Sequence, residues 1–92
     1  MDNFVEHLRS NIDLHNFVVI KTTKDRAVIF KIFNRYTKCI YIKMVNECIE
    51  ISIDKVFDEK GFYKGIERLI ISKQIFSNYN DSVNYIKKNI AI

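Results

Sequence analysis

The chain has 92 residues, of which 48% are hydrophobic and 28% charged, with a formal net charge of +4. This is globular composition, which excludes a disordered tail and provides for one domain spanning residues 1–92 with a single core. No apolar run approaches the roughly 20 residues needed to cross a bilayer. Met1 to Ile12 lack a basic start followed by an apolar block, and the two cysteines come with no oxidising context, so the expectation is a cytoplasmic, thiol-reduced protein that does not enter a membrane. Abundant Ile, Asn and Lys, all encoded by AT-rich codons, fit a small phage, viral or bacterial accessory protein.

Phe4, Val5, Leu8 and Ile12 lie at i, i+1, i+4 and i+8, the spacing of an amphipathic helix of about three turns, with Asp2 or Asn3 available as its cap. Phe17 to Thr22 and Ala27 to Phe33 then read as a hairpin turning at Lys24-Asp25, which pairs Val19 with Phe30 and Ile20 with Ile29. A third strand covers Lys38 to Met44 and a fourth Glu47 to Ile53, joined by a tight turn near Val45 and Asn46. Asp54 to Gly61 reads as one or two helical turns capped by Asp54 and stopped by Gly61. The β-branched run from Glu67 to Phe76 reads as a fifth strand. A last helix follows, capped by Asn80 or Asp81, burying Val83, Ile86 and Ile90 and turning Asn84, Lys87 and Lys88 to water. The fold class is therefore α+β: an N-terminal helix, an antiparallel meander of four to five strands, and a C-terminal helix packed on the sheet.

Side chains on a strand alternate between faces, and directly paired residues share one. Ile40, Ile42 and Met44 match Ile49, Ile51 and Ile53, while Lys43, Glu50 and Ser52 fall on the reverse, which makes the isoleucine side the inner face. Pairing Ile32 with Ile40 turns Phe17, Val19, Val28, Phe30 and Ile32 inward. It leaves Val18, Ile20, Ile29, Lys31, Phe33, Cys39, Tyr41 and Lys43 outward, unless the register slips by one residue. Two helices that bracket one sheet usually pack on the same side of it, so the outward apolar residues call for a cover, either the C-terminal helix itself or something from outside the chain.

No catalytic, metal or cofactor motif stands out. His7 and His15 share no ligand spacing with Cys39 or Cys48. Cys39 pairs near residue 52 or 54, too far from Cys48 for a disulfide. Gly61 and Gly65 are isolated and form no phosphate loop. The reading is a non-enzymatic protein-binding module without cofactor. It contacts a protein partner, or a second copy as a homodimer, through Val18, Ile20, Ile29, Lys31, Phe33, Tyr41 and Lys43, with lysines as the polar rim. A phage-type protein that blocks a host or defence protein is one concrete form.

The alternative is nucleic-acid binding. Residues 17–46 carry Lys21, Lys24, Arg26, Lys31, Arg35, Lys38 and Lys43 against Asp25 alone. With Tyr41 on an open sheet to stack a base, those cations would neutralise phosphates. In outline the element order resembles double-stranded-RNA-binding domains, but their basic, glycine-containing start of the last helix has no counterpart at Asn80 to Lys88, so the resemblance is of topology only.

Overall fold

The computed structural model describes residues 1–33, 36–58 and 66–90, with side chains described up to Val56 in the fourth strand and from Lys73 onward in the fifth. Helix α1 (Asp2–Asn11) is followed by strands β1 (Val18–Thr23), β2 (Arg26–Ile32), β3 (Tyr36–Val45), β4 (Cys48–Asp58) and β5 (Ile66–Phe76), then helix α2 (Tyr79–Ile90). The five strands form one antiparallel sheet in the order β1-β2-β3-β4-β5. The α+β architecture and the fifth strand match the sequence reading.

Both helices lie on one face. Phe4 and Leu8 of α1 and Val83 and Ile86 of α2 share a single buried cluster with Ile29, Ile40, Ile42, Ile49, Ile51 and Ile53. Every one of those sheet positions is a β-branched isoleucine, the side chain that packs best on a pleated surface. Rings seal the periphery: Phe4 meets Tyr79 edge-on at 5.1 Å, and Phe76 meets Tyr85 at 5.1 Å. Helix α1 has no side-chain cap; Asp2 sits inside its first turn and binds Lys21 at 2.6 Å, so the expected capping by Asp2 or Asn3 is replaced by an ion pair to β1. Asn78 caps α2, its Oδ1 accepting the Asp81 backbone N–H at 2.8 Å while its Nδ2 donates to Asp81 at 2.9 Å. The predicted cap was therefore two or three residues late.

The β3–β4 pairing agrees with expectation, Ile40 lying opposite Ile53, Ile42 opposite Ile51 and Met44 opposite Ile49. Its two-residue loop is Asn46-Glu47, with φ of 48° and 64° at these residues, the double left-handed turn whose twist suits a hairpin. The first hairpin differs. Its loop is Lys24-Asp25 as predicted, but the register shifts between Lys21 and Thr23, so that Val19 faces Ile29 and Ile20 faces Val28. The extra residue is a bulge at Thr22, whose Oγ1 donates to the Arg26 carbonyl at 3.4 Å. One inserted residue turns every later side chain of the partner strand to the opposite face. The β2–β3 register also differs from expectation: Ile40 lies opposite Ile29 and Ile32 opposite Thr37, an odd shift of three residues from the predicted Ile32–Ile40 pair. Ile29, Lys31 and Phe33 therefore take the helix side and Val28, Phe30 and Ile32 the other, reversing the predicted assignment for β2, while the bulge at Thr22 keeps Val19 inward and Val18 and Ile20 outward.

A second correction concerns residues 54–58, which extend β4 instead of forming a helical turn. Tyr36 to Lys38 on one side and β5 on the other supply ladder partners as far as Asp58, and that pairing outweighs the capping tendency of Asp54. Gly61 and the rest of the predicted turn lie outside the described residues.

Candidate functional site

The face of the sheet away from the helices is organised in cross-strand rows. Val18, Phe30, Cys39 and Asp54 form one row; Ile20, Val28, Tyr41, Ser52 and Lys73 form the next; Arg26, Lys43, Glu50 and Ile75 form a third. Ile32 extends the apolar side beyond the first row. Exposure is high for apolar side chains: Val18 is 49% exposed, Ile20 45%, Ile75 65% and Ile32 72%. Val28, Phe30 and Tyr41 are half-buried between their neighbours. The cover is not uniform, since Cys39 and Asp54 are buried on the same face, with Ser52 Oγ donating to Asp54 at 3.2 Å.

Chemically the face is graded. The β1–β2 side is greasy, and the third row is ionic. Glu50 binds Lys73 at 2.8 Å, and the hydrogen bond from Lys73 holds its carboxyl below the ordinary range, with the charges of Lys43 and Arg26 adding to the effect. Thr22, Arg26, Tyr41, Lys43, Glu50 and Ser52 border a shallow open depression of about 370 Å³ with Val28 in its wall. Its mouth is broad and its lining mixed.

Of the seven predicted partner-binding residues, Val18, Ile20, Tyr41 and Lys43 share this open face. Ile29 does not: it is fully buried beneath the helices. Lys31 and Phe33 stand on the helix side, where the Lys31 ammonium lies 5.0 Å from the Phe33 ring centre and 5.7 Å from that of Phe17. A slip of three residues in the β2–β3 register, with Ile40 facing Ile29 instead of Ile32, explains all three corrections. Sequence reasoning missed Val28, Phe30, Ile32 and Ile75; the first three follow from that same slip, and the alternation of Lys73, Ile75 and the inward Phe76 would have placed Ile75 had the fifth strand been given a register.

The predicted nucleic-acid residues are divided between the faces. Arg26, Tyr41 and Lys43 are on the open face, Lys24 occupies the first hairpin loop, Lys21 is held by Asp2, and Lys31 and Lys38 are on the helix side. Arg35 lies outside the described residues. Cys39, buried, lies opposite Asp54, and Cys48, half-buried, lies opposite Val45, so the register sets the two cysteines apart. His7 leans on the Tyr79 ring at 5.7 Å and His15 is exposed. Among the described residues no three His, Cys, Asp or Glu side chains converge on a metal-sized site, and no helix is long and apolar enough to cross a membrane.

No protein-family model, curated protein or solved structure matches this chain.

Proposed function

We propose that the protein is a non-enzymatic binding module that associates with a second copy of itself through the open sheet face. The observation that carries this reading is the placement of both helices on one side, which leaves Val18, Ile20, Ile32 and Ile75 between 45% and 72% exposed on the other. Apolar side chains gathered on one surface gain roughly 25 cal/mol for each Å² withdrawn from water. A second copy provides that withdrawal without requiring any other molecule. Sheets pack face to face with strands nearly aligned and about 10 Å apart. A two-fold axis through the apolar rows would set Val18, Ile20, Val28 and Phe30 against their equivalents and leave Arg26, Lys43, Glu50 and Lys73 at the wet rim. Like charges are then kept apart, and the rim supplies register.

The area also fits self-association of modest strength. Five strands about 4.8 Å apart, with about six residues each rising about 3.3 Å, present a face of roughly 500 Å² in projection. That is at the small end of specific interfaces, which bury about 800 Å² per partner. The expected state is a homodimer in exchange with monomer at micromolar concentration. Light scattering on a size-exclusion column tests it: Ile20→Asp with Ile32→Asp should yield monomer at concentrations where the parent chain is dimeric, with an unchanged circular dichroism spectrum. A parent chain that stays monomeric at high micromolar concentration overturns self-association. If that monomer instead captures a host protein, and loses it on the same substitutions, the face belongs to a foreign partner of the kind a phage-type inhibitor would block.

A further inference from the structure

Arg26 and Lys43 are directly paired across β2 and β3 on the open face, and Glu50 of β4 lies opposite Lys43 in the same row. Like charges set directly opposite one another destabilise a sheet, and an opposite charge beside them relieves it. Glu50 does not supply that relief in full, because Lys73 reaches it diagonally from the neighbouring row and binds it at 2.8 Å. Three cations thus share one carboxylate, and among the described residues neither Arg26 nor Lys43 forms an ion pair. Asp25 and Glu47, the other carboxylates nearest in the chain, are exposed loop residues that bind neither. Further acidic residues belong to the far end of the sheet. Asp58, and Phe57 opposite Glu67, are eight and seven residues along β4 from Glu50, which at about 3.3 Å per residue is roughly 23 Å or more. Glu59 follows Asp58 directly in the chain, and α2, after which residues 91 and 92 come, packs on the other face.

Beside the Arg26–Lys43 pair lies the depression of about 370 Å³, with Val28 and Tyr41 in its lining. Thr22 and Ser52 commit their hydroxyl protons to the Arg26 carbonyl and to Asp54. The polar groups it offers a ligand are therefore above all the Arg26 guanidinium and the Lys43 ammonium. A guanidinium presents parallel N–H donors that match two oxygens of a carboxylate or phosphate, and an ammonium adds a compact charge. Glu50 already responds to both: after the Lys73 hydrogen bond, the charges of Lys43 and Arg26 help to hold its carboxyl below the ordinary range. Small-molecule pockets run from about 300 to 1,000 Å³, so a ligand that fits here is small.

We propose that the depression binds a small organic oxyanion, its carboxylate or phosphate held between Arg26 and Lys43 and its apolar body laid against Val28 and Tyr41. A single chain forms the whole site, so this goes beyond self-association and does not rest on it. Val28 is shared with the proposed dimer interface, and binding is for that reason measured on the chain kept dilute enough to be monomeric.

The test is fluorine NMR at low salt, following the line widths of para-fluorobenzoate and para-fluorophenyl phosphate as the full chain is added. At least one probe should broaden, and added sodium chloride should reverse the effect. Arg26→Gln with Lys43→Gln should weaken binding about tenfold or more, the loss expected when both charge-assisted contacts go. Lys87→Gln with Lys88→Gln, which removes the same charge from the exposed side of α2, should change it less than about twofold. All four positions are exposed, and thermal melts verify that each variant is folded. Unlabelled benzoate should displace the probe at several-fold lower concentration than acetate, because acetate has no body to lie on Val28. The tighter of the two probes assigns the anionic group, and either assignment supports the site. No broadening of either probe overturns it, as does an equal loss in the Lys87/Lys88 control or equal displacement by acetate and benzoate. Failure of the chain to dimerise leaves this measurement intact, and failure to bind the probes leaves the light-scattering result intact, so the two readings fail separately.

Discussion

The two faces of the sheet have similar apolar content and opposite fates. On the helix side, Ile29, Ile40, Ile42, Ile49, Ile51 and Ile53 are each no more than 2% exposed. On the far side, Val18, Ile20, Ile32 and Ile75 keep about half or more of their surface in water. Residue type does not separate them, since both sets are β-branched aliphatics. Cover separates them, and two short helices provide it once. The difference teaches that apolar patterning on both sides of a strand records a demand for burial and is silent about who meets it. A chain of this size has enough helix for one side only.

Substitutions on the two faces should therefore behave differently, and the largest contrast comes from the core. Ile51→Ala removes methyl groups from a fully buried site and should cost about 2–5 kcal/mol of unfolding free energy in urea. Ile75→Ala, on the open face, should stay within about 0.5 kcal/mol at dilute concentration. A dimer adds a concentration-dependent increment that the Ile75 variant alone would lack. Equal losses for the two variants at dilute concentration would mean that the faces are not distinct.

A smaller effect tests how the cover is attached. Asn78→Ala removes the side chain that accepts the Asp81 backbone N–H and should cost about 1 kcal/mol. It should also raise amide exchange along α2 more than along α1. The smallest effect is electrostatic and contrasts one ion pair on each side. Lys21 lowers the pKa of Asp2 from its ordinary value of 3.8, and Lys73 lowers that of Glu50 from 4.5, chiefly through hydrogen bonds. A depressed carboxyl pKa adds stability that is present above the ordinary value and is lost as pH falls through the depressed one. Lys73→Gln should return the Glu50 titration, followed by carboxyl NMR, toward 4.5 and leave Asp2 where it is. Movement of both would show the two pairs to be coupled through the sheet.

Much of the architecture was legible because it rests on local period. Leu8 with Phe4, Ile86 with Val83, and the alternation from Ile40 to Ile53 each state an element and a buried side without knowledge of the rest. The β3–β4 register followed from matching isoleucines across a tight turn. Half of the candidate face was legible for the same reason, in Val18, Ile20, Tyr41 and Lys43. Ile29, Lys31 and Phe33 were misplaced because the apolar run from Val28 to Phe33 does not say which isoleucine meets Ile40: Ile29 and Ile32 suit it equally well, and the three-residue difference exchanges the faces. Residues 54–58 were misread because Asp54 is a good helix cap in isolation, and only ladder partners on both sides keep it extended.

The sequence by itself determined the order of elements, the isoleucine core and the excess of apolar residues over what two helices can bury, since all of these depend on spacing along the chain. Which side Ile29 and Lys31 occupy was decided only in three dimensions. The register between β2 and β3 sets it, because strand pairing is a relation between separate segments and any odd step of register exchanges the two faces.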